Sequence, residues 1–231
     1  MRRVIAAVAL MLATACALAQ APYAAPQNVL QLSASGSVEV QQDLLSMSLT
    51  TTREGADANT VQSQLKAALE AALAEARKSA VPGQLDVRTG QFGLYPRYAR
   101  DGKSIGWSGT AELVLEGRDF PRITQTAGRI QTLTMGSVSF GLSREQRAKV
   151  EGDAQTIAIE RFKTRATELA RGFGFAGYGL REVSVSSNDQ GSVRPMRMAM
   201  EAKASSSDSP VPVEAGKSTV VVTVSGTVQL K

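Results

Sequence analysis

The apolar residues of this chain switch repeatedly between a period of two and a period near 3.6, and that alternation limits the fold more than any other feature. Leu30, Leu32, Ala34, Val38 and Val40 alternate as in a half-buried strand, interrupted at Gly36, which reads as a kink or bulge. Leu45, Met47 and Leu49 continue the alternation in a second strand, with Ser46, Ser48 and Thr50 on its other face. The period then lengthens. Val61, Leu65, Leu69 and Leu73 recur every fourth residue beside Ala68, Ala72 and Ala76, which predicts an amphipathic helix from about Ala56 to Ser79. Val81-Pro82-Gly83 stops it.

Extended structure returns over Leu85 to Tyr98, turns at Asp101-Gly102 and runs back through Ile105, Trp107, Leu113 and Leu115 to Gly117. Asp119 caps a short helix with Pro121 in its first turn. Val138 and Phe140 mark a further strand. Ser143-Arg144-Glu145-Gln146 is a capping box opening the longest helix, whose stripe runs from Val150 through Phe162 to Phe173 and ends at Gly172 and Gly174. Leu180, Val183 and Val185 predict a strand. A flexible loop is expected at about 188–217, where Ser, Ala, Pro and Met show no sustained period. Thr219 to Leu230 closes the chain as a β-branched strand that inserts beside earlier ones, with a bulge at Gly226. The expected class is α+β: antiparallel, hairpin-rich sheet or sheets with helices packed on one face.

Residues 1–19 read as a secretory signal peptide: Arg2 and Arg3, an apolar run from Val4 to Ala15, then Ala17-Leu18-Ala19 before Gln20. Residues 20–29 are expected to form a flexible leader, and 30–231 one domain. Ala13-Thr14-Ala15-Cys16 is a degenerate lipobox, so the alternative to a soluble periplasmic protein is one lipid-anchored at Cys16. No later stretch is apolar enough to span a bilayer. Removal of Arg2 and Arg3 lowers the net charge from +5 to +3, and the remaining cations are interleaved with acids; this argues against a nucleic-acid partner.

The chain has no histidine and a single cysteine, Cys16, within the signal. Imidazole catalysis, thiol catalysis, disulfides and cysteine- or histidine-based metal sites are therefore excluded for residues 20–231. No Gly-x-Ser-x-Gly elbow or phosphate loop is present, and no catalytic residue or cofactor is expected. Met196, Met198 and Met200 are the one soft cluster; alternate spacing in an extended segment would put three thioethers on one side, a Cu(I)-binding or peptide-binding alternative. Arg194 and Arg197 beside them oppose a cation. A carboxylate-dependent cell-wall hydrolase would have to use Asp86, Glu112 or Glu116, since Glu70, Glu75, Glu151 and Glu160 fall on polar helix faces. Tyr95, Tyr98 and Trp107 come from neighbouring strands, either as a stacking surface or, more in keeping with a hairpin, as structural pairs.

Several segments match a family pattern. Ser35-Gly36-Ser37-Val38, Asp43-Leu44, Phe92-Gly93-Leu94 with Pro96 and Tyr98, Gly106-Trp107, Val138-Ser139-Phe140-Gly141-Leu142-Ser143, and Ala166 to Gly174 occur in order, followed by the Met- and Pro-bearing loop and Thr219 to Val228. In this the chain resembles the SIMPL domain family of exported bacterial proteins, whose members include oxidative stress defense proteins and periplasmic immunogenic proteins. Gln42 departs from a proline that the family often carries. The resemblance implies an α+β fold, export, homo-oligomers of ring or barrel type and no established catalytic residues. The expectation is a non-enzymatic, self-assembling protein that contributes to envelope or oxidative stress tolerance.

Overall fold

The computed structural model describes residues 27–190 and 214–231. Seven strands and three helices follow one another as β1 (Val29–Gln41), β2 (Leu44–Gly55), α1 (Ala58–Arg77), β3 (Asp86–Tyr98), β4 (Ser104–Gly117), α2 (Phe120–Arg129), β5 (Thr134–Gly141), α3 (Arg144–Gly172), β6 (Tyr178–Gln190) and β7 (Lys217–Leu230) among the described residues. They form two antiparallel sheets, ordered β1-β7-β6 and β3-β4-β2-β5. The α+β class holds, with helices on one face of each sheet.

Alternation decides which face is covered. On β2 and β4 the odd-numbered Leu45, Met47, Leu49, Ala111, Leu113 and Leu115 are buried against Val61, Leu65 and Ala72 of α1 and Ile123 and Ala127 of α2. On β1 and β7 the even-numbered Leu32, Val222, Val224 and Val228 are buried against Ala154, Ala158, Phe162 and Ala166 of α3. A smaller cluster of Leu142, Val150 and Val220, with Val38 and Val40 against it, lies where α3 begins. Alanines on the buried stripes of α1 and α3 let both helices settle close to their sheets. As expected, the closing strand inserts: β7 lies between β1 and β6.

Four local readings change. Gly36 is no kink, because β1 keeps unbroken register with β7 across it, Gly36 facing Val222. A Cβ there would lie 2.1 Å from Ala154 O, so the glycine is needed for the close approach of α3. The bulge expected at Gly226 falls on the facing strand, between Leu180 and Glu182, while β7 runs straight. Finally, β1 begins at Val29 rather than Leu30, and β6 extends to Gln190, pairing Asn188 with Val221, so 188–190 are strand instead of loop. Valines of β7 supply the ladder that carries β6 onward.

Asp119 caps α2 as expected, and α1 starts at Ala58 rather than Ala56, capped by Asp57. Asp57 Oδ2 accepts the Thr60 N–H at 2.8 Å and Asp119 Oδ1 accepts the Arg122 N–H at 3.0 Å. These amide bonds, aided by the Thr60 hydroxyl and the Arg122 guanidinium, hold both carboxyls below the ordinary aspartate range. Glu75 is lowered likewise, first by Lys78 and then by Arg129. A depressed folded-state pKa stabilises fully above the unfolded value, about 4, and that contribution is lost as pH falls through the lowered value. Lys217, raised by Glu39, has the opposite sign: its contribution is lost as pH climbs through its elevated folded value. With no histidine in the chain, thermal melts should be flat from about pH 5.5 to 8 and drop only below about pH 4. A step near pH 6.5 would contradict this reading.

Candidate interaction surface

Among the described residues no three or more His, Cys, Asp or Glu side chains converge on a metal position. Met196, Met198 and Met200 lie outside the described residues, as do the signal segment and Cys16. The carboxylates are engaged structurally. Glu112 accepts the Gln91 N–H at 3.0 Å across the bulge of β3, with its carboxylate lying close against Gly90. Glu116 stands 3.8 Å from Arg88. Glu112 and Glu116 are four residues apart on one strand, about 13 Å. That exceeds the roughly 5–9.5 Å that glycoside hydrolysis uses. Asp86 does face Glu116 across the ladder, but it accepts the Gly83 N–H at 3.3 Å, and both residues sit on an open strand face.

The aromatic residues divide between faces. Tyr95 pairs with Ser108, and its neighbour Pro96 pairs with Trp107, so Tyr95 and Trp107 point to opposite sides of the sheet. Trp107 packs on the core, while Tyr95 folds its ring over Gly93 and Tyr98 is exposed. Neither a shared stacking platform nor an aromatic cross-strand pair forms among these three residues, because the register sets Tyr95 opposite Ser108, Tyr98 opposite Ser104 and Trp107 opposite Pro96.

What the sequence did not signal is an apolar stripe on β6 that no described element covers. Leu180, Val183 and Val185 pair with Val228, Gly226 and Val224 of β7. Directly opposed residues share a face, so these three side chains lie on the side that α3 covers. Helix α3 sits over β1 and β7 and hardly reaches β6. Leu180 is consequently 60%, Val183 43% and Val185 48% exposed, although Val224 and Val228 beside them are buried. Phe173, 63% exposed, caps α3 in the turn before β6. The other face of the same sheet carries small hydroxyls: Ser33, Ser35, Thr223, Ser225, Thr227, Ser184 and Ser186. A spacing of two in Val183-Ser184-Val185-Ser186 was readable; the shortfall of α3 was not.

The profile of SIMPL, a protein of unknown function (DUF541), matches residues 30–228. The chain belongs to the SIMPL family. That match spans both sheets and all three helices, so this SIMPL domain is the whole described fold. Two of the segments that carry the resemblance meet at one point: Asp43, between β1 and β2, accepts the Ser143 N–H at 2.7 Å and the Ser143 hydroxyl at 2.6 Å. Ser143 Oγ in turn accepts the Gln146 N–H at 3.2 Å, so Asp43 replaces the reciprocal half of the expected capping box. Gln42 is buried and donates from Nε2 to Phe140 O at 3.4 Å, adding a tie at the same junction. None of the curated proteins matches the chain. Among solved structures, the crystal structure of AtUAH in complex with glyoxylate is similar at 15% identity and a TM-score of 0.25, over 57% of this chain. The match spans about a third of that protein, 34%, and a likeness at that TM-score carries no argument for this SIMPL domain. Among the described residues no helix is long and apolar enough to cross a membrane.

Proposed function

We propose that this SIMPL-domain protein is exported to the periplasm, is not an enzyme, and acts as a self-assembling component of the envelope that contributes to envelope or oxidative stress tolerance. The carrying observation is the stripe of Leu180, Val183 and Val185, a core-type surface with no helix over it among the described residues. Fully burying such a side chain is worth about 1.5–3 kcal/mol, and roughly half of that is still to be gained at each of these positions. Residues 1–19 support export by their signal pattern, with retention at Cys16 as the lipid-anchored form. The absence of thiols and imidazoles from residues 20–231 supports a role without bond-making chemistry. Any protection against oxidants would work by barrier, assembly or methionine oxidation rather than by a thiolate.

Sedimentation velocity tests the reading. Val183→Lys with Val185→Lys removes two of the three apolar side chains of the stripe from each copy and adds like charges. Association should weaken by about 100-fold or more, since about 2.8 kcal/mol suffices for that. Thermal stability of the dissociated chain should barely move, because both positions are half-exposed. An unchanged association constant contradicts the proposed surface.

A further inference from the structure

The two outer edges of the β1-β7-β6 sheet are unequal. Leu230 N–H bonds to Asn28 O at 2.9 Å and Gln42 N–H to Gly216 O at 3.0 Å, so even-numbered residues of β1 turn their backbone toward β7. Ser33 and Ser35 therefore turn theirs outward. There α3 reaches over the edge: Arg161 donates to Ser35 O at 2.8 Å and Arg165 to Ser33 O at 3.4 Å. Each guanidinium occupies a carbonyl that an added strand would need, a device that blocks edge pairing.

Strand β6 has no such cover among the described residues. Odd-numbered residues of β7 bond toward β6, so their partners Ser184 and Ser186 face inward, and Val183, Val185 and Ser187 present free N–H and C=O groups. The remaining edges carry their own obstacles. β3 contains Pro96 and two register breaks, and β5 is an eight-residue strand with one. From Glu182 to Gln190, β6 pairs without interruption and has no proline, glycine, lysine or arginine.

We propose that β6 is the pairing edge of this chain and that its occupant is β6 of a second copy, antiparallel about a two-fold axis. This rests on the self-assembly reading and gives it a geometry. With the axis at Ser184, Val183 meets Val185 of the partner subunit and Glu182 meets Ser186 of the partner subunit, so apolar opposes apolar and no like charges face each other. Two three-stranded sheets become one of six strands. The apolar stripes of the two copies become neighbours, and backbone groups at Val183 and Val185 gain partners. The arginine seal on β1 makes the pairing closed. Head-to-tail addition of β6 onto β1, which would propagate into an open filament, is blocked.

Single-cysteine variants of the full chain in a Cys16→Ala background test this under mild oxidation, because residues 17–231 contain no other thiol. Ser184→Cys should convert most of the protein to a covalent dimer, and Ser35→Cys on β1 should leave it uncross-linked. Arg161→Ala with Arg165→Ala should turn a finite assembly into species whose mass keeps growing with concentration. If light scattering shows assembly but Ser184→Cys cross-links no better than Ser35→Cys, β6 pairing is overturned and self-assembly stands. A strict monomer overturns both. Slow hydrogen exchange of the Val183 and Val185 amides in such a monomer would mean that the chain covers its own edge, which equally overturns the pairing.

Discussion

Gly36→Val should destabilise the domain by about 3 kcal/mol or more, the upper range for overpacking. A Cβ at residue 36 would lie 2.1 Å from Ala154 O, 2.7 Å from Ala158 N and 3.0 Å from the Ile157 side chain. Two of those contacts are helix backbone, which cannot rotate aside as a side chain could. Either β1 moves away from α3 or the helix lifts, and both expose Ala154, Ala158 and Phe162, now buried against the sheet. The melting temperature should fall by about 6–12 °C for a domain of this size. Gly152→Ala provides the control within the same helix. Nothing lies within 4 Å of a Cβ there, so the change should stabilise by about 0.5–1 kcal/mol through helix propensity. Urea denaturation of both variants gives the comparison; equal effects would show that α3 does not pack as described.

Asp43→Ala should cost about 2–3 kcal/mol. Its carboxylate accepts the Ser143 amide and hydroxyl at 2.7 and 2.6 Å, and bonds to a charged group are worth about 1.5–3 kcal/mol. It also stands at the N-terminus of a 29-residue helix, where a negative charge is favoured. Removal leaves a part-buried N–H without its acceptor and loosens the point at which the two sheets are joined. Asp43→Asn keeps an acceptor and should recover part of the loss. If Asp43→Ala melts within 1 °C of the parent, this junction does not hold the layers together.

Local features of the fold were readable from the residues. Asp119 and Ser143 cap the helices that their spacing announced, and Asp101-Gly102 turns the β3–β4 hairpin, with Gly102 at φ 80°. Such features depend on neighbours within four residues. Gly36 was readable only as an irregularity, because its reason, the backbone of α3, lies more than a hundred residues away. Asp43 and Ser143 matched the family pattern separately, but their hydrogen bonds across a hundred residues exist only in the folded chain. Tyr95 and Trp107 looked like candidates for one surface until the register placed them on opposite faces. The surface on β6 was half legible. Its alternation predicted a strand, while its exposure depends on α3 lying over β1 and β7 and stopping there. Arg161 and Arg165, which seal the opposite edge, look in the sequence like ordinary solvated helix cations.

The central claim is that the bare β6 surface joins copies of this chain, and native mass spectrometry of protein purified from the envelope tests it most directly. The expected spectrum shows even-numbered assemblies of a chain that begins at Gln20, or at a lipidated Cys16, and Val183→Lys with Val185→Lys reduces them to single chains. A single chain from the unaltered protein at micromolar concentration would contradict the claim.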